Sequence, residues 1–235
     1  MSAQQGTQEN EREKNDFFFF WLKVFLWTVS RHRRLAPLYD KRPAVGDFSF
    51  VAPNATLVGD VAVGPNSVVW YGAVLRGDVN TVRVGAHSSI GDDVVVHVSS
   101  GSLAPSAVAR GTSVGDHVLV EAGAVLHACT VQNHAWVQSG AIVLDGAVVH
   151  EGAIVGPSSL VTKSVPAGEY WAGVPAVKLR DVTQADRDAL AARRAAVLQL
   201  AAAHDAEHAK GTQQLHTEAV AQRSQHFGAG LEHKH

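Results

Sequence analysis

From Val45 onward, aliphatic side chains return every six residues, at Val51, Leu57, Val63, Val69 and Leu75. The register then slips and resumes as Val84, Ile90 and Val96, again as Val114, Val120 and Leu126, and finally as Val131, Val137, Val143, Val149, Val155 and Val161. Four residues after each of these eighteen positions stands Ser, Thr, Ala or Val, from Ser49 and Ala55 to Ser159 and Val165. A six-residue period suits neither a helix, which repeats at 3.6, nor a half-buried strand, which alternates at two. It predicts a coil of short strands, one strand and one turn per repeat, with the aliphatic residue inward and the small residue at a tight corner. Stacked coils bury the aliphatic columns, and each such side chain contributes about 1.5–3 kcal/mol on leaving water. Gly46, Gly64, Gly85, Gly91, Gly115 and Gly156 directly follow inward residues. The expectation there is a backbone angle that glycine adopts without a Cβ penalty.

This pattern resembles the left-handed parallel β-helix, in which three hexads make one triangular coil. The fold class expected is therefore an all-β core over residues 40–180. An extension, 1–39, precedes it, a helix over 181–211 follows, and a polar tail occupies 212–235.

The ends break the hexad pattern. Residues 1–16 are polar and carry Glu9, Glu11, Glu13 and Asp16, which argues against a cleaved organellar targeting segment, since those are poor in acids. Phe17 to Val29 is aromatic and apolar, followed by Arg31, His32, Arg33 and Arg34. Thirteen residues are too few to span a bilayer. Three uses remain: a strap packed across the coils, an anchor into a membrane interface or large apolar partner, or a signal peptide. After Pro175 the chain is expected to turn helical, with Thr183 as cap and Asp186 three residues on. Leu190, Val197, Leu198 and Ala201 share one face of that helix, and Gly211 is the expected stop. The histidines from 204 to 235 other than His208, His204 among them, show no ligand spacing and are read as solvated.

Composition narrows the classes. The 235 residues carry 20 Lys+Arg against 22 Asp+Glu, so no basic excess draws nucleic acid. Cys129 is the single cysteine, which excludes a disulfide framework and a Cys-based zinc cluster within one chain. The chemistry is sought among the hexads. His97 and His127 each directly follow an inward residue, Val96 and Leu126. If about twelve residues between Val96 and Val114 form a loop, around Ser99–Ser106, one full coil separates the two histidines. They then stack on adjacent coils about 4.8 Å apart, near enough for two imidazoles to share a metal ion. Two ordinary surface histidines are the competing reading.

Several strings resemble the gamma-class carbonic anhydrases. They include Leu75-Arg76-Gly77-Asp78-Val79-Asn80, Val95-Val96-His97-Val98, Gly123-Ala124-Val125-Leu126-His127-Ala128-Cys129 and Gly140-Ala141-Ile142-Val143-Leu144-Asp145-Gly146-Ala147, with Ser159–Lys163 and Ala172–Ala176 beyond them. The resemblance implies a trimer with metal at its subunit interfaces, two histidines coming from one subunit and a third from its neighbour. His97 and His127 match the pair, and Arg76 and Asp78 match the family's polar active-site residues. The metal implied is zinc, or iron or cobalt. The third histidine falls five residues before the second, where this chain has Ala122. Glu121 beside it is a substitute of lesser promise, and Gly91 stands where the family commonly has a glutamine before the aspartate matching Asp92. This asymmetry is similar to the gamma-carbonic-anhydrase-like subunits of mitochondrial respiratory complex I. It implies a heterotrimer on the matrix side of the inner membrane, bound to the membrane arm, with residues 17–29 meeting membrane or an apolar partner. The alternatives are an active carbonic anhydrase and a hexapeptide acyltransferase.

Overall fold

The aliphatic hexads close into a triangular parallel β-helix whose interior is their own side chains. The computed structural model describes residues 32–100 and 110–210. The aromatic stretch 17–29, its acidic neighbours, Arg31, Gly211 and the tail 212–235 lie outside the described residues. Among those described, no helix is long and apolar enough to cross a membrane.

The chain climbs through three faces in a fixed cycle. One face stacks β3 (Phe50–Val51), β5 (Val68–Val69), β7 (Ser89–Ile90), β10 (Leu119–Val120), β13 (Trp136–Val137), β16 (Ile154–Val155) and β18 (Glu169–Ala172), one strand per coil. The second face begins with β1 (Leu35–Ala36) beside the first half of β4 (Thr56–Val63). It continues through the first half of β6 (Val74–Val84), β8 (Val95–His97), β11 (Val125–His127), β14 (Ile142–Val143) and β17 (Leu160–Val161). The third face takes β2 (Ala44–Val45), the second halves of β4 and β6, then β9 (Thr112–Val114), β12 (Thr130–Val131) and β15 (Val148–Val149). All these pairings are parallel and set inward residue on inward residue, with a register shift only between the two halves of β4 and β6.

Seventeen of the eighteen predicted inward residues are buried, and Val45, in the first coil, is half-buried. The small corner positions are filled by Ala55, Ser67, Ala73, Ser88, Ala124, Ala135, Ala141 and Ala153, all fully enclosed. Val79 and Ser100 fit the spacing but are exposed, because both sit where the coil is interrupted. The corner hydroxyls are not orphaned. Ser67 Oγ donates to Gly85 O at 2.7 Å and accepts from Ser88 N at 3.1 Å, and Ser88 Oγ repeats the pattern one coil on, to Gly115 O and from Val118 N. A buried hydroxyl without partners would oppose the fold.

The glycines after inward residues serve a different purpose from the expected one. None of the six has a positive φ. They are glycine because the next coil leaves no room: a Cβ on Gly64 would lie 2.7 Å from Gly85 C and 2.8 Å from Ala86 N.

Beyond Pro175 the chain first forms a strand. β19 (Val177–Asp181) folds back antiparallel on β18. The helix α1 then spans Gln184–Ala209, with a capping box at Thr183 and Asp186 and a C-cap at Lys210. Leu190 and Ala201 are buried, and Val197 and Leu198 pack against the core. The expected face is therefore the one that covers the coils, with contacts to β3 and β7.

Candidate functional site

β8 and β11 are neighbours on the second face, and their register pairs His97 directly with His127. The thirty-residue separation works because of an excursion closed at its neck. Ser99 and Arg110 form an antiparallel bridge, with N–H···O distances of 3.0 and 3.2 Å, and the coil resumes at β9. The two imidazole centroids lie 5.1 Å apart with planes inclined by 47°.

Arg76 and Asp78 reach the same place by a second interruption. Where β4 has one residue between Gly59 and Val61, β6 has four between Gly77 and Val82. The three additional residues push Asp78–Thr81 out of the coil beside His97. Arg76 Nη2 donates to His97 Nε2 at 2.5 Å, and Arg76 Nε contacts Asp78 Oδ2 at 3.1 Å. Asp78 Oδ1 lies 3.7 Å from His97 Nε2 and accepts from Val79 N at 2.8 Å. Lys41 Nζ donates to the Asp78 carbonyl. Partial burial pushes the His97 pKa below its ordinary value, and the Arg76 charge pushes it further, against the pull of Asp78. A neutral imidazole with Nε2 as acceptor is the state this environment favours.

His127 Nδ1 is hydrogen-bonded to Asp145 Oδ1. A carboxylate there fixes the imidazole as the Nδ1–H tautomer and leaves Nε2 with its lone pair, the arrangement that orients histidine ligands in metal sites. Hexad spacing alone assigns Asp145 no role. The coil here is seventeen residues long and sets Leu126 on Val143, so Asp145 lies one residue past the position in register with His127, and its side chain reaches back to Nδ1.

The third-ligand position is not restored by its surroundings. Ala122 is exposed at the turn between β10 and β11. Glu121 is committed elsewhere: its Oε1 accepts from Trp136 Nε1 at 3.1 Å and pairs with Arg193 Nε of α1 at 2.7 Å, while Oε2 accepts from Ser139 N and Oγ. It anchors the helix and does not reach out as a ligand. Gly91 is pressed on this turn, and a Cβ there would meet Ala122 N and Glu121 C at 2.8 Å. Asp92 Oδ1 accepts from Tyr71 N.

The donor set of one chain therefore provides two imidazoles for a metal ion. Among the described residues, no three His, Cys, Asp or Glu side chains converge on one point. A three-ligand zinc site, with a fourth position open, does not fit within a single chain.

No family model matches the chain. Its sequence is 41% identical over 194 residues to gamma carbonic anhydrase 1, mitochondrial, of Arabidopsis thaliana, covering 82% of this chain and 70% of that protein. Gamma carbonic anhydrase 3, mitochondrial, of the same plant is 46% identical over 184 residues, covering 77% and 70%. Among solved structures, a hexapeptide transferase family protein from Anaplasma phagocytophilum is similar with a TM-score of 0.65 at 38% identity, covering 72% of this chain and 96% of that one.

Proposed function

The chain belongs to the gamma carbonic anhydrase family, and we propose that it is a structural or assembly subunit rather than a self-sufficient enzyme. On this reading it is one member of a heterotrimer of gamma-carbonic-anhydrase-like subunits. The trimer sits on the matrix side of the mitochondrial inner membrane, on the membrane arm of complex I. The observation that carries the reading is Ala122. Ala122 sits in the turn before β11 and His127 at the far end of that strand, on either side of one face of the coil, so on this reading the two serve different subunit interfaces. A trimer of this chain alone has two imidazoles and one methyl group at every interface. The mitochondrial names of the Arabidopsis relatives support the compartment. The composition of residues 17–29 supports an apolar partner.

The retained pair favours a second reading, residual carbonic anhydrase activity in a mixed trimer. A neighbour presenting histidine where this chain has Ala122 completes a three-ligand site for zinc, iron or cobalt. The ion, when bound, supplies Lewis acidity and an activated water for hydrating carbon dioxide. On this chain's side His97 and His127 are the ligands, Asp145 orients His127, and Arg76 with Asp78 holds His97. Arg76 must turn away from Nε2 when that nitrogen ligates.

The test is the metal content of the purified chain alone. His97 and His127 hold no zinc tightly, and Ala122→His adds one equivalent of zinc or cobalt per chain that His97→Ala removes. Stoichiometric metal with carbon dioxide hydration in the unaltered chain would overturn the structural reading. Native purification from the source membrane tests the assembly, and recovery free of related subunits and of respiratory-complex proteins counts against it.

A further inference from the structure

The last two turns of α1 carry a second pair of histidines, and they meet a residue of the β-helix. His204 and His208 are four apart, so they project from the same side of the helix. Tyr71 follows β5 at the turn of the second described coil. Its Oη lies 2.8 Å from His204 Nδ1 and 2.8 Å from His208 Nε2. One phenol oxygen is thus the common partner of two imidazole nitrogens from a segment 133 residues away.

The rings are held as well as pointed. Phe50 stacks on His208 at 6.2 Å with planes 13° apart, and Trp70 meets His204 edge to face at 5.4 Å. His204 and Tyr71 are half-buried and His208 is exposed, so the cluster has packed walls and an open side.

We propose that His204, His208 and Tyr71 form a binding site for a divalent transition-metal ion, copper or zinc, that staples the end of α1 to the β-helix. Two histidines one helical turn apart are a chelating pair for such ions, and imidazole suits both metals. The third donor is the Tyr71 phenolate. Ligands bind deprotonated, so metal entry releases the phenol proton to solvent. With bonds near 2.0–2.1 Å, the ligand atoms of a tetrahedral site stand roughly 3.3 Å apart. The present contacts are about half an ångström shorter, and small side-chain rotations on the open side supply the difference. Water completes the coordination from that side. The site is separate from His97 and His127, which lie on another face.

The chain has 13 histidines, so total metal uptake does not identify the site, whereas phenolate ligation does. Copper(II) is added to the full chain, in excess over its histidines, and the visible spectrum is recorded. The expected result is a phenolate-to-copper charge-transfer band that Tyr71→Phe abolishes while Tyr39→Phe and Tyr170→Phe preserve it. His204→Gln and His208→Gln each raise the copper concentration at half-saturation at least tenfold. Tyr71→Phe removes one oxygen and keeps the ring, and its circular dichroism without metal establishes that the fold is intact. No band in the parent chain, or a band surviving in Tyr71→Phe, overturns the proposal and leaves a hydrogen-bonded clasp.

Discussion

Two glycines of this β-helix are glycine for opposite reasons, and alanine separates them. At Gly64 the backbone angle is ordinary, but the Cβ would stand 2.7 Å from Gly85 C, 2.8 Å from Ala86 N and 2.9 Å from Gly85 O. All three are backbone atoms of the next coil, held by the hydrogen bond from Gly64 N to Val84 O at 2.8 Å. They yield only if the coils part, so Gly64→Ala costs about 3 kcal/mol, the upper end of the overpacking range. At Gly152 nothing lies within 4 Å of the added atom, but φ is +63°. The cost there is the left-handed backbone alone, about 1 kcal/mol. Asn66, His87, His117 and His134 occupy the equivalent corner of earlier coils with φ between 54° and 59°. Asparagine tolerates that region, so Gly152→Asn is near neutral, whereas Gly64→Asn is at least as damaging as Gly64→Ala. At roughly 2–4 °C per kcal/mol for a domain of this size, thermal melting followed by circular dichroism reads about 6–12 °C lost for Gly64→Ala and about 2–4 °C for Gly152→Ala. If Gly64→Ala melts no lower than Gly152→Ala, or Gly152→Asn as low as Gly152→Ala, the division between crowding and backbone angle is wrong.

Val143 is wholly enclosed, so Val143→Asp buries an unpaired carboxylate and costs several kcal/mol; soluble expression and melting check it. Burial pushes the Cys129 thiol up to about 12, so iodoacetamide labels it in denaturant and leaves it unmodified in the native chain over hours. The His117 pKa is lowered, first by burial and then by Arg194, His134 and His87. A base with a lowered folded pKa is protonated more readily in the unfolded chain, so stability falls as pH drops through 6.5. His117→Gln flattens that part of the melting-temperature profile, and an unchanged slope refutes the assignment.

The hexads made the interior legible because a parallel stack has one inward position per face and no side-chain alternation to confuse it. Its slips were legible as slips but not as structure. The nine-residue step from Leu75 to Val84 is the three-residue bulge that delivers Asp78, and periodicity reports only that something was added. The five-residue step from Leu126 to Val131 is a corner one residue short, with Ala128 at φ 46°. The strand Val177–Asp181 was invisible because every residue in it is exposed, leaving no burial pattern to detect. The stacking of His97 on His127 followed from arithmetic once a loop was granted. Asp145 falls one residue off that arithmetic, since the short corner at Ala128 sets Leu144, not Asp145, above His127. Tyr71 with His204 and His208 did not, because it depends on where a helix lies across a face, and no repeat encodes that.

The antiparallel pair of β18 and β19 has a consequence for the molecule as a stack. Each coil offers its upper edge as a template for another parallel coil, and nothing in a repeated hexad says when to stop. On the face that ends in β18, the next position is taken by β19 running the other way. Its Lys178 bridges Glu169 and Asp181 at 2.8 and 2.7 Å, and Arg180 clamps Asp186 at 2.5 Å. A charged, reversed strand does not template parallel addition. The chain thus carries its own terminator for end-to-end growth, and neutralising Lys178, Arg180 and Asp181 together turns that end into the site where fibre formation begins.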